Sequence, residues 1–377
     1  MRYMPMPILL QLILIGFIIS TVIQLIYWGI IFRKVIVHRP LQEKIKIDIP
    51  VSVIICAKNE AANLRKYLPS ILSQDYPKYE VIVVNDHSAD DSMAVLSKMS
   101  DQYSYLRIID LSEKNADYIG KKMALSTGIA QATHEWLLLT DADCQPVSNQ
   151  WIREMMATTI HKDKEIGLGY SPYIYEKGLL NAFVRYETLL TAFQYINMAL
   201  IKQPYMGVGR NLLYRKDLFY QAGGFESHLE VASGDDDLFI SEVATGNNTF
   251  IVDTPDAVVY SEPKKTWSSW LAQKRRHLST GKHYRPKIQI LLGLFSITHF
   301  FHVFFLVLLL IFNFGTVVAI VGSVLRTLII VLMCTAFRKK FREVNDWYWI
   351  PLLDFLYPFY YMALARYLIS TKTKSWK

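Results

Sequence analysis

Long apolar segments at the two ends of the chain flank a middle region of mixed polarity. Residues 7–32 carry no charge and exceed the ~20 residues that a membrane-spanning helix needs. A second apolar region covers about 288–337, and the Asn-Phe-Gly sequence at 313–315 predicts two spans joined by a tight turn. An aromatic segment at 347–369 is interrupted by prolines, so it either spans the bilayer or lies at its interface.

These segments predict four parts of the chain. They are an N-terminal transmembrane anchor (1–32), a cytoplasmic domain (33–287), a transmembrane helical hairpin (288–337), and a basic loop with an aromatic C-terminal segment (338–377). Clusters of Lys and Arg border the apolar segments, and the positive-inside rule assigns such clusters to the cytoplasm. We therefore expect a multi-pass membrane protein, of the inner or plasma membrane if bacterial, with membrane lipids as neighbours.

Composition and cysteine spacing argue against nucleic-acid binding and against a cysteine-based metal or disulfide framework. The chain has 377 residues and a formal net charge of +8, which raises the question of nucleic-acid binding. The middle region, however, has no basic stripe with interleaved aromatic residues, so we expect no nucleic-acid partner. The cysteines at 56, 144 and 334 show neither a metal-binding spacing nor a disulfide framework. Oligomeric state is not indicated by the sequence.

In the middle region, β-branched runs alternate with helical patterns. The strand-like runs are 49–60, 81–84, 105–111 and 135–143, and the helical patterns between them are 61–73, a stretch ending at 99, and 120–132. This alternation predicts βαβ units and an α/β fold with a mostly parallel, Rossmann-like sheet. Neither GxGxxG after the first strand nor GxxxxGK[ST] is present, which disfavours dinucleotide dehydrogenases and P-loop nucleotidases.

Acidic residues follow the predicted strands at their carboxyl ends, where parallel α/β sheets bind ligands. Asp141 and Asp143 end the run "LLLTDADCQP", and Glu60 and Asp86 end two earlier runs. Alternation along the strand places Asp141 and Asp143 on the same side, so that their charges add. The pair could then hold Mg²⁺ or Mn²⁺, and the alternative is a solvated strand-to-loop junction.

Seven short motifs, in sequence order, resemble family-2 glycosyltransferases. They are "VIICAKNEAANL", "VVNDHSADDS", "GKKMALSTGI", "TDADCQP", "GVGRNLLYRKDLFYQAGGF", "GDDDLF" and "QKRRH". The resemblance covers about residues 51–277 and implies an A-type glycosyltransferase fold and inverting sugar transfer from a nucleotide sugar. The last motif resembles Gln-x-x-Arg-Trp of membrane-bound polysaccharide synthases, with His277 in place of tryptophan.

The resemblance also implies roles for individual residues. The expected nucleotide-sugar-binding residues are Ala57, Asn59, Glu60, Asp86, Lys121, Asp141 and Asp143, of which Asp141 and Asp143 hold the metal; the catalytic residues are Asp236, Gln273 and Arg276; and the acceptor-binding residues are Asn211, Asp235 and His277. Asn59 and Glu60 equally fit simple helix capping. A lysine at a helix N-terminus is unfavourable unless an anion binds, which favours a role for Lys121.

Taken together, the sequence predicts a membrane-anchored inverting glycosyltransferase with a DxD motif that uses a UDP-sugar and Mg²⁺ or Mn²⁺. We expect a lipid-linked or membrane-proximal acceptor, hence polysaccharide or glycolipid biosynthesis. The alternatives are a processive exopolysaccharide synthase and a non-catalytic membrane scaffold built on a decayed transferase domain. Stacking of an acceptor sugar is weaker on imidazole than on indole, so His277 argues against processive synthesis.

One charge falls inside a predicted span. Arg326 lies near the middle of the third apolar stretch, where a charge is costly and is usually paired. Asp354 in the C-terminal aromatic segment is the candidate partner, and the alternative is that Arg326 extends its side chain to the membrane surface.

Overall fold

A computed structural model describes residues 6–39, 47–112, 120–161, 163–231 and 233–368. The chain divides into two compact units. One, the membrane unit, comprises the residues up to His38 and those from Arg285 onward. The other, the catalytic unit, runs from Arg39 to Tyr284.

The membrane unit is helical. Its helices are α1 (Met6–Ile26), which continues through a π-helical segment (Tyr27–Ile31), α2 (Arg33–Val37), α11 (Pro286–Ile311), α12 (Thr316–Lys340) and α13 (Ile350–Leu368). Three described stretches are long and apolar enough to cross a membrane: Pro7–Val37, Pro286–Ile311 and Thr316–Lys340. The turn between α11 and α12 contains Asn313 and Gly315, both with positive φ. Within the part of the chain that the structure describes, α13 does not meet this criterion.

A buried ion pair joins α12 to α13 inside this unit. The Arg326 guanidinium donates to both carboxylate oxygens of Asp354, through Nη1 to Oδ2 and through Nη2 to Oδ1 at 3.3 Å. Gln24 on α1 accepts a further 3.0 Å hydrogen bond from Nη2, and His299 on α11 lies 3.3 Å from Asp354 Oδ1. The predicted pairing of Arg326 with Asp354 is confirmed, and the two residues are almost fully buried.

The catalytic unit is built on a seven-stranded sheet in the order β3-β2-β1-β4-β7-β6-β8. The strands are β1 (Val51–Ala57), β2 (Tyr79–Asn85), β3 (Leu106–Asp110), β4 (Trp136–Asp141), β6 (Ile166–Gly169), β7 (Leu212–Arg215) and β8 (Thr249–Val252); β5 (Cys144–Pro146) and β9 (Val259–Ser261) form a small second sheet. Four of the strand pairings are parallel and β7 pairs antiparallel with both of its neighbours, so the predicted α/β fold with a mostly parallel sheet is confirmed.

Helices pack on this sheet and bury its apolar faces. They are α3 (Ala61–Leu72), α4 (Ser92–Ser100), α5 (Lys121–Gln131), α6 (Trp151–His161), α7 (Leu179–Leu200), α8 (Lys216–Gln221) and α9 (Asp237–Val243). Helix α10 (Trp267–Leu278) instead packs through Trp270 against Tyr173 and Val184. The central strands β1 and β2 are almost continuously buried, as expected for parallel strands covered on both faces. Gly128 lets α5 approach the sheet closely, because a Cβ there would meet Ile54 at 2.9 Å and Val84 at 3.0 Å.

Two local predictions need correction. Strand β4 ends at Asp141, and Ala142 and Asp143 form a turn, so strand alternation does not align the two aspartates. The acidic residues at 235–237 also predict a helix from Asp235 to Val243, since acids at a helix start complement its dipole. Helix α9 instead begins at Asp237, and Asp236 is its N-cap. The second difference arises because the Asp236 side chain accepts the Asp237 backbone N–H and so caps the helix at that point.

Candidate active site

The register of the three central parallel strands brings their polar ends together. Ala57 at the end of β1 pairs with Asn85 on β2, and Cys56 pairs with Asp141 on β4. The residue after β2, Asp86, donates its backbone N–H to the Ala57 carbonyl at 2.8 Å. The carboxyl ends of β1, β2 and β4 therefore form one edge, where ligands of such sheets bind.

Asp86 is fully buried at this edge. Its Oδ1 lies 2.8 Å from His87 Nδ1, and its Oδ2 lies 3.8 Å from the Lys58 ammonium. Within the described residues, Oδ2 accepts no hydrogen bond. A buried carboxylate oxygen without a donor is costly, so this atom is suited to receive an N–H from a ligand.

Asp141, Asp143 and Cys144 form a compact group of possible metal ligands, with all three ligand atoms within 4.8 Å of one another. Burial, followed by the negative charges of Asp141 and Glu60, raises the pKa of Asp143, and Arg210 opposes the shift. Burial also raises the pKa of the Cys144 thiol well above its usual value, so the thiol stays protonated at neutral pH. The two carboxylates thus form an oxygen site of the kind that Mg²⁺ and Mn²⁺ prefer.

Lys121, the first residue of α5, links this acidic pair to a second acidic group. Its ammonium lies 3.0 Å from Asp141 Oδ1 and 2.9 Å from Asp235 Oδ2. Burial alone would raise the pKa of Asp235, but the charge and hydrogen bond of Lys121 hold it below its usual value. The positive charge of Lys121 at the start of α5 is therefore balanced by carboxylates from two separate segments, Asp141 and Asp235.

The surroundings of Asp236 shift its pKa in the opposite direction to the pKa of its neighbour Asp235. Its Oδ2 accepts a 2.7 Å hydrogen bond from the Gly209 backbone N–H, and its Oδ1 accepts one of 2.7 Å from Asp237 N–H. Burial, followed by the charges of Asp235 and Asp237, raises the pKa of Asp236 to about 7, against the lowering effect of Lys121. A carboxylate with a pKa near neutrality is well matched to proton abstraction.

The residues on either side of Asp235 and Asp236, Gly234 and Asp237, fix the backbone of this segment. Gly234 adopts φ 105°, which side-chain-bearing residues rarely adopt, and so begins the turn into α9. Asp237 accepts hydrogen bonds from the hydroxyls of Thr280 and, at 2.7 Å, Tyr284. The first turn of α9 is thereby tied to the segment that follows α10.

Helix α10 supplies the basic side of the site. Gln273 donates a 3.3 Å hydrogen bond to the Tyr173 hydroxyl. Arg276 acts electrostatically on Asp235, and His277 is exposed within electrostatic reach of Lys121. Arg276 and His277 are therefore in the same electrostatic neighbourhood as Lys121 and Asp235.

Comparisons with known proteins fit this architecture. Residues 52–223 match glycosyl transferase family 2. Glycosyltransferase AglE of Haloferax volcanii is 32% identical over 190 residues, which cover 49% of this chain and 58% of AglE. Probable glycosyltransferase YdaM of Bacillus subtilis is 25% identical over 238 residues, which cover 60% of this chain and 54% of YdaM. The chain therefore spans little more than half the length of these relatives.

Residues 52–223, a little under half of the chain, therefore form a region that is similar to glycosyl transferase family 2. The mannosyltransferase PcManGT of Pyrobaculum calidifontis, solved in complex with GDP-Man and Mn²⁺, is similar in structure with a TM-score of 0.58. The match covers 92% of this chain and 99% of PcManGT at 18% sequence identity. At that identity the likeness shows the fold, which agrees with the A-type glycosyltransferase fold implied by the motifs.

Not every predicted residue of the family-2 site has a side chain free for a ligand. Asn211 is fully buried: its Nδ2 donates to the carbonyls of Tyr170 (2.9 Å) and Ala257 (2.8 Å), and its Oδ1 accepts from Trp151 at 2.9 Å. Both of its N–H groups are used in the core, so the structure does not favour the prediction that this side chain binds the acceptor. Its side chain connects Tyr170, Ala257 and Trp151 in the core.

Asn59 and Glu60 connect the segment that follows β1 with the segment that follows β2 through hydrogen bonds. Asn59 Oδ1 accepts the Ala89 backbone N–H at 2.7 Å, and the Glu60 backbone N–H donates to Ser92 at 2.9 Å. Glu60 accepts from Asn63 within the first turn of α3 at 2.6 Å, and its charge also acts on Asp143. The local-structure interpretation of Asn59 is thus favoured, whereas Glu60 lies close enough to the metal-ligand group to influence it.

Arg210 is a site residue that the sequence reasoning missed. Its guanidinium lies over the Tyr173 ring at 4.5 Å and acts electrostatically on Asp141 and Asp143. Its Nη1 is buried and makes no hydrogen bond to a described residue. The available signal was the arginine inside "GVGRNLLY", a cation in an otherwise uncharged stretch of a family motif.

Proposed function

We propose that the chain is a membrane-anchored inverting glycosyltransferase that moves a sugar from a UDP-sugar to a lipid-linked or membrane-proximal acceptor. The observation that supports it best is the position of Lys121 between Asp141 and Asp235. One ammonium contacts both the candidate metal-binding pair and the acidic segment that includes Asp236. Groups for holding a diphosphate and a group for removing a proton are therefore close together, as direct displacement requires.

The residues at the end of β4 fit a divalent cation. Asp141 and Asp143 would hold Mg²⁺ or Mn²⁺, which would neutralise the negative charge that develops on the leaving nucleoside diphosphate. Like charges this close are costly without a cation, and Lys121 and Arg210 balance them in this structure. In the donor complex both cations would be positioned to contact phosphate oxygens.

The donor base would lie at Asp86, whose Oδ2 is available to accept a base N–H. The reaction then requires a proton acceptor on the face of the sugar opposite the diphosphate. We assign that role to Asp236, because its pKa of about 7 leaves it able to take the proton of an acceptor hydroxyl. Asp235 is occupied by Lys121, and Asp237 by Thr280 and Tyr284.

The acceptor is inferred from the positions of the apolar helices in the chain. Candidate spans precede and follow the catalytic unit, so the enzyme is anchored to the membrane from both sides of its sequence. The basic clusters beside those spans favour a cytoplasmic catalytic unit. His277 in place of tryptophan favours addition of one or a few sugars over processive synthesis of a long polysaccharide.

Nucleotide binding tests the proposal and separates an enzyme from a scaffold. Purified full-length protein should bind UDP in the presence of Mn²⁺ and lose most of that binding in EDTA. Asp143→Ala should abolish the Mn²⁺ dependence, whereas Asp101→Ala, an exposed aspartate that follows α4, should not. If UDP bound equally well with and without metal, or if Asp143→Ala bound as the parent does, the donor site assigned here would be wrong.

Product analysis identifies the sugar and the acceptor. A panel of radiolabelled nucleotide sugars would be incubated with membrane extract and the protein, and the labelled lipids analysed by mass. We expect a lipid-extractable product with one or a few added sugars. A long, water-soluble polymer would instead support the processive alternative.

A further inference from the structure

The contacts of Asp86 bear on which nucleotide the proposed donor site accepts. Its side chain is fully buried at the end of β2, and its backbone N–H is bonded to Ala57, so the carboxylate has little freedom to reorient. His87 Nδ1 lies 2.8 Å from Oδ1. Because a carboxylate only accepts hydrogen bonds, the histidine nitrogen carries the hydrogen and donates it.

His87 is itself held in an unusual backbone conformation. Its φ of 53° is in the left-handed region, which few residues other than glycine adopt. The charge of His87 also acts on Asp110 at the end of β3, and Asp110 accepts a 2.9 Å hydrogen bond from Asn85. His87 is therefore hydrogen-bonded to Asp86 and lies within electrostatic reach of Asp110.

The two carboxylate oxygens of Asp86 differ in their hydrogen bonding. Oδ2 makes no hydrogen bond to any described residue. The closest cation is the Lys58 ammonium at 3.8 Å, which is beyond hydrogen-bond distance. Lys58 is partly exposed, and it contributes a nearby positive charge rather than a hydrogen bond to Oδ2.

We infer that His87 determines base specificity by occupying one oxygen of Asp86, so that the site accepts a base with a single N–H on its pairing edge. Uracil presents one such N–H, at N3, between two carbonyl groups. Guanine presents two parallel N–H donors that match both oxygens of a free carboxylate, and one of these oxygens is taken. Cytosine presents a lone pair at N3, which the carboxylate repels. The site therefore selects uridine diphosphates.

This inference rests on the proposed donor site but can fail separately from it. Full-length protein in detergent with Mn²⁺ would be titrated with UDP, GDP and CDP by isothermal calorimetry. We expect UDP to bind at least about tenfold more tightly than either competitor, because a mismatched base leaves a buried group unpaired. N3-methyl-UDP, which lacks the hydrogen, should bind the unmodified protein about tenfold more weakly than UDP.

The variant His87→Ala frees Oδ1, so the preference for UDP over GDP should fall about tenfold, mainly through tighter GDP binding. The matched control is His134→Ala, which lies just before β4 at the opposite edge of the sheet and should leave the ratio unchanged. Equal binding of UDP and GDP by the parent, or an unchanged ratio in His87→Ala, would overturn the inference while leaving the donor site intact. Failure of all three diphosphates to bind would overturn both.

Discussion

The backbone N–H of Gly209 donates a 2.7 Å hydrogen bond to Oδ2 of Asp236. This bond connects the loop before β7 with the start of α9, and it fixes the one carboxylate of the acidic segment that is neither paired with a lysine nor bonded to hydroxyls. The bond stabilises the charged form, yet burial and two adjacent aspartates outweigh it and raise the pKa of Asp236 to about 7. The Asp236 carboxylate is therefore fixed in position and still has a pKa high enough for it to accept a proton.

The pH dependence of transfer follows from that pKa. Asp236 can accept a proton only when ionised, so kcat/KM should be low below pH 6, rise through about pH 7 and level off above it. Asp236→Asn should lower kcat by about 10²–10⁴-fold with little change in donor affinity. The control is Asp101→Asn, at an exposed aspartate that follows α4. A rate in Asp236→Asn within a few-fold of the parent would remove this residue from the mechanism.

The spacing between Gly209 and Asp236 makes a second prediction. A Cβ at position 209 would lie 3.3 Å from both Cβ and Oδ2 of Asp236, which is closer than ordinary contact. Gly209→Ala should therefore displace the carboxylate by a few tenths of an ångström and lower kcat about tenfold, since small misplacements are costly in catalysis. Gly281→Ala, where no atom lies within 4 Å, is the matched control. Calorimetric UDP binding should be the same in both variants; weaker binding in Gly209→Ala would point to a folding defect instead.

Lys121 contributes to stability as well as to the site. In metal-free protein, Lys121→Met leaves Asp141 and Asp235 without their partner and should cost about 1–3 kcal/mol of unfolding free energy, with both carboxylates partly buried. Mn²⁺ should restore part of the lost melting temperature, because it supplies positive charge at Asp141. Lys98→Met, on the exposed surface of α4, should change neither quantity.

The same variant shifts the pH profile in a defined direction. Lys121 lowers the pKa of Asp236, so its removal should move the acidic limb of kcat/KM above pH 7. A limb that moved to lower pH, or stayed in place, would show that Lys121 and Asp236 are not coupled.

The fold was predictable because its signals are local. Runs of β-branched residues, helical periodicity and turn residues are readable one segment at a time. They locate strands β1, β2 and β4, whereas the residues at which these strands end, Ala57, Asn85 and Asp141, differ from the predicted ones. The predicted proximity of Asp141 and Asp143 is confirmed, but strand alternation is not its cause. The two carboxylates approach each other through a turn rather than along one strand.

Tertiary partners were beyond the reach of sequence patterns. Asn211 is part of a family motif, but its hydrogen bonds to Tyr170, Ala257 and Trp151 use the side chain internally. The contact of Arg210 with Tyr173 joins segments that are far apart in the sequence, and no spacing rule connects them. Motifs identify which residues matter, whereas contacts decide whether a residue meets the ligand or supports one that does.

The pair Arg326–Asp354 makes the last prediction, in the membrane unit. Removing either charge leaves the other buried without its partner, so Arg326→Met and Asp354→Leu should each lower the unfolding free energy by about 3–5 kcal/mol. The double variant Arg326→Met/Asp354→Leu removes both charges and should recover most of that loss, measured as the detergent-solubilised melting temperature. The exchange Arg326→Asp/Asp354→Arg should recover less, because Gln24 Oε1 and His299 are placed for the original polarity. If both double variants were as unstable as the sum of their single changes, the pairing would not be what docks α13 onto α12.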